Sequence, residues 1–312
     1  MPRTSSGQSR RLFLTTMPVN RTLQRRTPLF VAEVSSNHQR DLNRCLEFVR
    51  TAAEIDCDAV KFQLFRVREL FAPEALRHNP KLLAREAWEL PTSFLQDISA
   101  ACRARNLMFA CTPFYLKAVE ELLPFVDFYK IASYELLWED LLRECAQTGK
   151  PVVLSTGMAT LSEVEQACSV LRSAGCQDVT LLHCVSSYPT KPEECNLAST
   201  LTLREKCDCP VGWSDHSVQP AVIYRAVHSW GASMIEFHLD LDGRGAEFAS
   251  GHCWLPQQIA PVIATVRTGA VADGKGAVVP APSEMEEREW RADPEDGLRP
   301  LKSTRRQLQA AL

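Results

Sequence analysis

Two lysines stand inside stretches that otherwise read as buried β-strands, Lys61 in DAVKFQL and Lys130 in FYKIAS. An ammonium group in such surroundings is costly to desolvate unless an anion or carboxylate faces it, so the pair points to an anionic ligand. The same two runs add Gln63 and Ser133, and six further apolar runs also close on polar or ionisable residues. These are Glu33; Thr112; Ser155 with Thr156; His183 with Ser186; Ser214 with Asp215 and His216; and Glu236 with His238. Any one of them could be a surface residue opening a loop, but eight in succession are not explained that way. The hydroxyls of Ser155, Thr156 and Ser214, with backbone amides near Gly157, suit a phosphate or carboxylate cradle. His216 and His238 end consecutive runs, so their imidazoles can converge, and two histidines plus waters suit a mid-to-late first-row divalent ion. Two neutral core histidines bonded to backbone carbonyls are the alternative. Asp215 is the expected outer or capping partner of that pair.

What must position these groups is an alternation of short β-rich runs with longer amphipathic stretches, the signature of parallel strands joined by crossover helices. The runs end at Val34, Leu64, Thr112, Ser133, Thr156, Ser186, His216 and Asp240. Between them the spacing predicts helices over 42–54, 92–105, 116–123, 138–147, 161–173, 220–230 and 256–267, with Asp41, Thr92 and Ser162 (Glu165 three residues on) as N-caps. Eight strand-helix cycles in about 240 residues match a (β/α)8 TIM barrel, an α/β fold whose active site forms at the C-terminal ends of the strands. An open doubly wound sheet would need a second domain to hold so many strands. The predicted division is a basic, disordered extension over 1–28, one barrel domain over 29–270, and a charged tail over 271–312 that packs on or near the barrel.

Composition excludes several other roles. A formal net charge of −3 offers no long-range attraction for nucleic acid. Every apolar segment is interrupted well short of the run of about 20 residues that crosses a bilayer. The 12 cysteines mostly fall in apolar periodic segments, as small buried hydrophobes, and the spacing of Cys207 and Cys209 fits neither a zinc ribbon nor a thioredoxin motif. Reduced thiols in a cytoplasmic protein are the expectation. Residues 1–28 hold six arginines and no acidic residue, which fits a transit peptide, an upstream start before Met17, or a plain unstructured tail, the last being favoured.

The segments FVAEVSSNHQRD, DAVKFQLF, ACTPF, YKIASYEL, GKPVVLSTGM, LLHCVSSYPT, VGWSDHS and IEFHLDLD resemble, in order, the motifs of N-acetylneuraminate (sialic acid) synthases and related nonulosonate synthases. The resemblance covers about Leu29 to Arg267 and extends to Pro282-Ser283-Glu284. It implies condensation of phosphoenolpyruvate with N-acetylmannosamine or a related 2-acetamido sugar aldehyde, with release of phosphate, in a homodimer using Mn²⁺ or a similar ion such as Mg²⁺ or Co²⁺. By motif it makes His216 and His238 the metal ligands. Lys61, Thr112, Lys130, Ser133, Ser155, Ser186 and Ser214 become the phosphoenolpyruvate contacts, Gln63, Glu135 and Tyr188 the sugar contacts, and Glu33 the group that manages a proton.

Three departures accompany it. Asn37-His38-Gln39-Arg40 stands where the family often reads Asn-His-Asn-Gly. Glu247 stands in the loop where many members carry an Asp that contacts the sugar, and is the expected substrate contact here. Known members add a C-terminal antifreeze-like domain that supplies an Arg to the partner's sugar site. This sequence ends at Leu312 without room for one, so Arg288, Arg291 and Arg299 are the candidates for that cation unless the substrate does without it. The stretch 284–299, in which Trp290 beside Arg291 could lid a neighbouring site, reads more simply as a solvated charged helix. Rival functions are an ulosonate synthase acting on a phosphorylated sugar, a lyase with a Schiff-base lysine, and a sugar-binding barrel without turnover.

Overall fold

The computed structural model describes residues 27–311, so the basic extension lies almost wholly outside the described residues. Eight parallel strands form a closed barrel: β1 Leu29–Glu33, β2 Ala59–Leu64, β3 Met108–Pro113, β4 Phe128–Ile131, β5 Val152–Ser155, β6 Val179–Cys184, β7 Val211–Asp215 and β8 Met234–His238. β8 pairs with β1 to close the ring.

Alternation along each strand sorts the side chains into two cores. One set faces the helices and includes Phe30, Val60, Phe62, Phe109, Tyr129, Leu154, Trp213 and Phe237. A separate cluster of Leu29, Val31, Ala59, Ala110, Phe128, Val153, Leu182 and Met234 fills the barrel interior. Two residues further along the same inward rows come Glu33, Lys61, Thr112, Lys130, Ser155, Cys184 and Glu236. An apolar plug thus fills the lower barrel, and polar groups take over towards the C-terminal mouth. Register then fixes neighbours: Glu33 stands opposite Lys61 on one side and His238 on the other, and Gln63 stands opposite Thr112.

The helical layer follows the predicted pattern with specific differences. Asp41 caps the helix Leu42–Glu54 by accepting from the Asn43 amide. The helix Leu161–Ser173 has the predicted span, but its capping box lies two residues earlier: Thr160 and Glu163 make the reciprocal bonds, not Ser162 and Glu165. Thr92 caps nothing, because Thr92–Phe94 is a 3-10 turn running directly into Leu95–Arg103. Between β6 and β7, where no helix is expected from the sequence, Ser199–Cys207 forms one; its threonines and mixed polarity leave no clean apolar stripe to detect. Three short helical pieces after β2 are likewise unexpected, Val67–Leu70, Pro73–His78 and Pro80–Trp88. Several runs stop short of their expected ends, so Ser133, Ser186 and His216 lie on the loops just beyond the strands.

A second compact unit begins at Gly269. Its segment 284–299 is not a continuous helix. Proline, Asp and Gly confine it to 3-10 turns at Pro282–Glu284 and Glu287–Trp290, and the α-helix comes later, at Lys302–Ala310. Asp293 organises the unit by accepting from the amides of Glu295 and Lys302. Arg288, Arg291 and Arg299 belong to this unit, where the Arg291 guanidinium donates to the Arg288 carbonyl. All 12 cysteines are free thiols, eleven of them buried. Among the described residues no helix is long and apolar enough to cross a membrane.

Candidate active site

The barrel mouth opens into a cavity of about 680 Å³. Its floor is a buried charge network. Lys61 Nζ lies 2.7 Å from Glu33 Oε2 and 3.8 Å from Glu236 Oε2, and it donates to Thr112 Oγ1 at 3.3 Å. Lys130 Nζ lies 3.5 Å from the other oxygen of Glu236, which also accepts from Ser214 Oγ at 3.2 Å. Gln63 donates to Glu33 Oε1 at 2.6 Å and to Ser35 Oγ at 3.0 Å.

Glu236 therefore serves two ammonium groups, while Glu33 serves Lys61 alone. Burial favours the neutral form of each lysine, but Glu236 and Glu33 outweigh it at Lys61 and raise its pKa. At Lys130 burial wins, reinforced by Lys61, and the pKa falls. Burial would raise Glu236, yet Lys130 and Lys61 hold it below the usual carboxylate range. Lys130 is thus the under-compensated cation, and an arriving anion would relieve it.

Beside this network the loops after β4, β5 and β6 converge. The Gly157 amide donates to Ser133 Oγ at 2.9 Å. A Cβ at Gly157 would stand 2.4 Å from Ser186 Oγ and 2.9 Å from Ser133 Oγ, so only glycine permits this approach. Ser186 Oγ is buried with no hydrogen-bond partner, and Ser133 and Ser155 line the cavity. Of the hydroxyls expected to form an anion cradle, Ser155 and Ser214 line the cavity, while Thr156 Oγ1 donates to the Leu182 carbonyl.

Histidines gather across the mouth. The His216 and His238 ring centroids are 5.4 Å apart, so the rings converge. His216 Nδ1 bonds the Val185 carbonyl at 2.7 Å, which fixes the proton there and leaves Nε2 as the lone-pair atom. Burial and the neighbouring His238 push His216 down to about 3, a neutral imidazole. Asp215 is not the partner of this pair. Its oxygens accept from the indoles of Trp213 and Trp254 at 3.0 Å each, from Ser217 Oγ and from the Val218 amide, which turns it into the helical layer. His183 likewise serves the backbone, at Cys195 O.

His238 Nδ1 instead faces Glu247 Oε2 at 3.2 Å, and Ser35 Oγ donates to Glu247 Oε1 at 2.6 Å. Among the described residues, His238, Glu247, His252 and Cys253 place donor atoms within 4.8 Å of one another. This loop is clamped on β1's loop. Asn37 bonds the Leu239 carbonyl and the Glu247 amide, Gln39 reaches the Arg244 carbonyl, and Arg44 holds Asp240, Asp242 and the Asn37 carbonyl. Gly245 makes the clamp possible, since a Cβ there would lie 2.3 Å from Asp240 Oδ1 and 2.4 Å from Asn37 Oδ1.

Of the expected site residues, Glu33, Lys61, Gln63, Lys130, Ser133, Glu135, Ser155, Tyr188, Ser214, His216, His238 and Glu247 all line this cavity, with Thr112 just beneath and Ser186 behind Gly157. The Tyr188 ring sits 4.3 Å from His216. Burial lifts the Glu135 carboxyl to about 7 against the pull of Lys130. Sequence reasoning noted Glu236 near the end of its run but gave it no role, although it stands two residues before His238 on β8, and it did not assign His252 in the following loop. It also missed the outer wall of Phe71, Arg85 and Trp88, which rises from the unassigned segment after β2.

Comparison with known proteins follows the same line. The NeuB family matches residues 48–278. An uncharacterized protein of Methanocaldococcus jannaschii is 34% identical over 83% of this chain and 76% of its own length. The N,N'-diacetyllegionaminic acid synthase of Campylobacter jejuni is 31% identical over 82% of this chain and 80% of its own. Among solved structures, the N-acetylneuraminic acid synthetase of Leptospira borgpetersenii, crystallised with citrate, superposes with a TM-score of 0.73 at 30% identity, covering 87% of this chain and 94% of that one. Barrel, site and relatives agree: this chain belongs to the NeuB family.

Proposed function

We propose that the chain is a synthase that joins phosphoenolpyruvate to the open-chain aldehyde of N-acetylmannosamine or a related 2-acetamido sugar, giving a nonulosonate and inorganic phosphate. The observation that carries this reading is the pair of buried ammonium groups sharing one carboxylate beside a hydroxyl cradle, in the same cavity as a convergent histidine cluster. Names of relatives such as the legionaminic acid synthase support the same chemistry.

Phosphoenolpyruvate occupies the side of Lys61, Thr112, Lys130, Ser133, Ser155, Ser186 and Ser214, where Lys130 gains the counter-charge it lacks. The acceptor lies towards Gln63, Glu135, Tyr188 and Glu247. His216, with its free Nε2, and His238 are nitrogen donors of the kind a divalent ion takes, Mn²⁺ in the first instance with Mg²⁺ or Co²⁺ as alternatives. When bound, the ion would act as a Lewis acid on the aldehyde oxygen. The enol carbon of phosphoenolpyruvate forms the new C–C bond, which leaves an oxocarbenium-like C2. Water adds to C2 and gives up a proton by way of Glu33, which Lys61 and Gln63 hold in place, to the former aldehyde oxygen, and the remaining hydroxyl proton leaves with the phosphate as the ketone forms. The C2–O bond to phosphorus then breaks, and Lys61 and Lys130 stabilise the departing phosphate.

The free thiols support a cytoplasmic setting. Exposed Tyr134, Leu137 and Met158 on the loops after β4 and β5 support a homodimer. The test is phosphate release from phosphoenolpyruvate across a panel of aldoses, with and without chelator. Release that ignores the aldose, or that a Glu33→Gln variant sustains at the normal rate of condensation, would refute the assignment. One observation favours a second acceptor class, a phosphorylated aldose. Arg85 lines the outer cavity between Phe71 and Trp88, with no ion-pair partner among the described residues. The 6-phosphate of each aldose in the same panel, with wild type and Arg85→Ala, separates the two.

A further inference from the structure

We propose that Glu247 and His252 are direct ligands of the divalent ion, alongside His216 and His238, so that three imidazoles and one carboxylate hold it. This rests on the reading that the cavity takes a divalent ion, and it reassigns Glu247 from the sugar to the cation.

Donor spacing is the first ground. Glu247 Oε2 lies 3.2 Å from His238 Nδ1 and 3.6 Å from His252 Nε2. Adjacent donors on an ion with bonds of about 2.1 Å sit about 3.0 Å apart in an octahedron and about 3.4 Å apart in a tetrahedron. The three atoms already stand near the edges of one coordination shell, and a cation between them would replace the His238–Glu247 hydrogen bond.

Ring placement is the second. Imidazoles on neighbouring corners of an octahedron have centroids about 4.5 Å apart, and on opposite corners about 6.4 Å apart. The observed separations are 4.6 Å for His238–His252, 5.4 Å for His216–His238 and 6.4 Å for His216–His252. The first matches neighbouring corners and the last opposite corners, while the His216 ring stands about 1 Å too far from His238 and must close by that much to join His238, Glu247 and His252 on one ion.

The third is satisfaction of polar atoms. His252 is 4% exposed, and its Nε2 faces Glu247 Oε2 at 3.6 Å, too far for a good hydrogen bond, so this buried nitrogen gains a full partner when a cation stands between them. Glu247 is aimed by Ser35 Oγ on its other oxygen and by the bond from its amide to Asn37, as outer contacts typically orient a ligating carboxylate. Cys253 also stands in the cluster, but its soft sulfur suits Mn²⁺ or Mg²⁺ poorly beside oxygen and nitrogen donors, and it is left out of the set. A carboxylate beside three imidazoles adds a negative charge to an otherwise neutral donor set, which tightens binding of a dication.

The test uses the full chain, stripped of metal and titrated with Mn²⁺ by calorimetry, and pulsed EPR of the Mn²⁺-loaded protein grown with ¹⁵N-histidine. The EPR measurement needs no variant. Couplings from three imidazoles in wild type, with at least tenfold weaker Mn²⁺ binding in His252→Ala and in Glu247→Gln, is the expected result. Couplings from only two imidazoles, or His252→Ala binding Mn²⁺ within twofold of wild type, would overturn the assignment while leaving a two-histidine site intact. Wild type that takes up neither Mn²⁺ nor Co²⁺ would overturn it together with the metal reading of the cavity.

Discussion

Replacing Gly157 with alanine tests the anion cradle without touching a lysine or a histidine. The added Cβ would stand 2.4 Å from Ser186 Oγ, 2.9 Å from Ser133 Oγ and 3.0 Å from Cys184 Sγ. Ordinary contact begins at about 3.4 Å, so Ser186 Oγ must retreat by about 1 Å and Ser133 Oγ by about half that. Overpacking of this kind costs about 1–3 kcal/mol. Both displaced atoms are hydroxyls assigned to phosphoenolpyruvate, so if the strain is expressed there, affinity falls by about 5- to 150-fold. Phosphoenolpyruvate binding by calorimetry, and its KM measured at saturating acceptor, read the effect directly. The acceptor KM should stay within a factor of about two. Adding Ser186→Ala removes the closest clash, so the double variant should lose less than the two single losses combined. An alanine at 157 that leaves phosphoenolpyruvate affinity unchanged would refute the assignment of this cradle.

Glu236→Gln strands Lys130 and leaves Lys61 with Glu33 alone, and unfolding in urea should show a loss of about 3–5 kcal/mol, partly restored by added inorganic phosphate. Arg44→Ala removes the partner of fully buried Asp240, and urea melts should record a loss of about 2–4 kcal/mol, only partly recovered by lysine. Glu135 titrates in the folded protein at about 7, above its ordinary 4.5. A raised carboxyl favours the folded state at low pH, and that advantage is lost as pH rises to about 7. Glu135→Gln should therefore be more stable than wild type at pH 8, by about 3 kcal/mol at most, with the difference vanishing near pH 4.5. A pH-independent difference would contradict this assignment.

The inner rows of the barrel were legible because strands carry side chains with a period of two, and an ammonium in the third position of an apolar run has no other ready explanation. Lys61, Lys130 and the histidines could be found that way. Asp215 misled the reading because adjacency to His216 suggests partnership, whereas successive residues at a strand end face opposite ways, and the indoles of Trp213 and Trp254 waited on the other side. Glu236 was seen but not valued, since nothing in one strand reveals that Lys61 and Lys130 both reach it. The wall of Arg85 and Trp88 comes from Pro80–Trp88, a 3-10 helix whose three-residue turn does not repeat with the 3.6-residue period of an α-helix. Thr160 displaced Ser162 as the cap because two overlapping Ser/Thr-x-x-Glu patterns compete within three residues, and local sequence cannot choose between them.

The reaction itself is tested most directly with phosphoenolpyruvate carrying ¹⁸O in the oxygen that bridges C2 and phosphorus. Attack through the enol carbon, hydration at C2 and expulsion of phosphate predict aldose-dependent turnover in which the released phosphate keeps the label. Label recovered in the ketone of the sugar acid, or phosphate released at the same rate without any aldose, would contradict it.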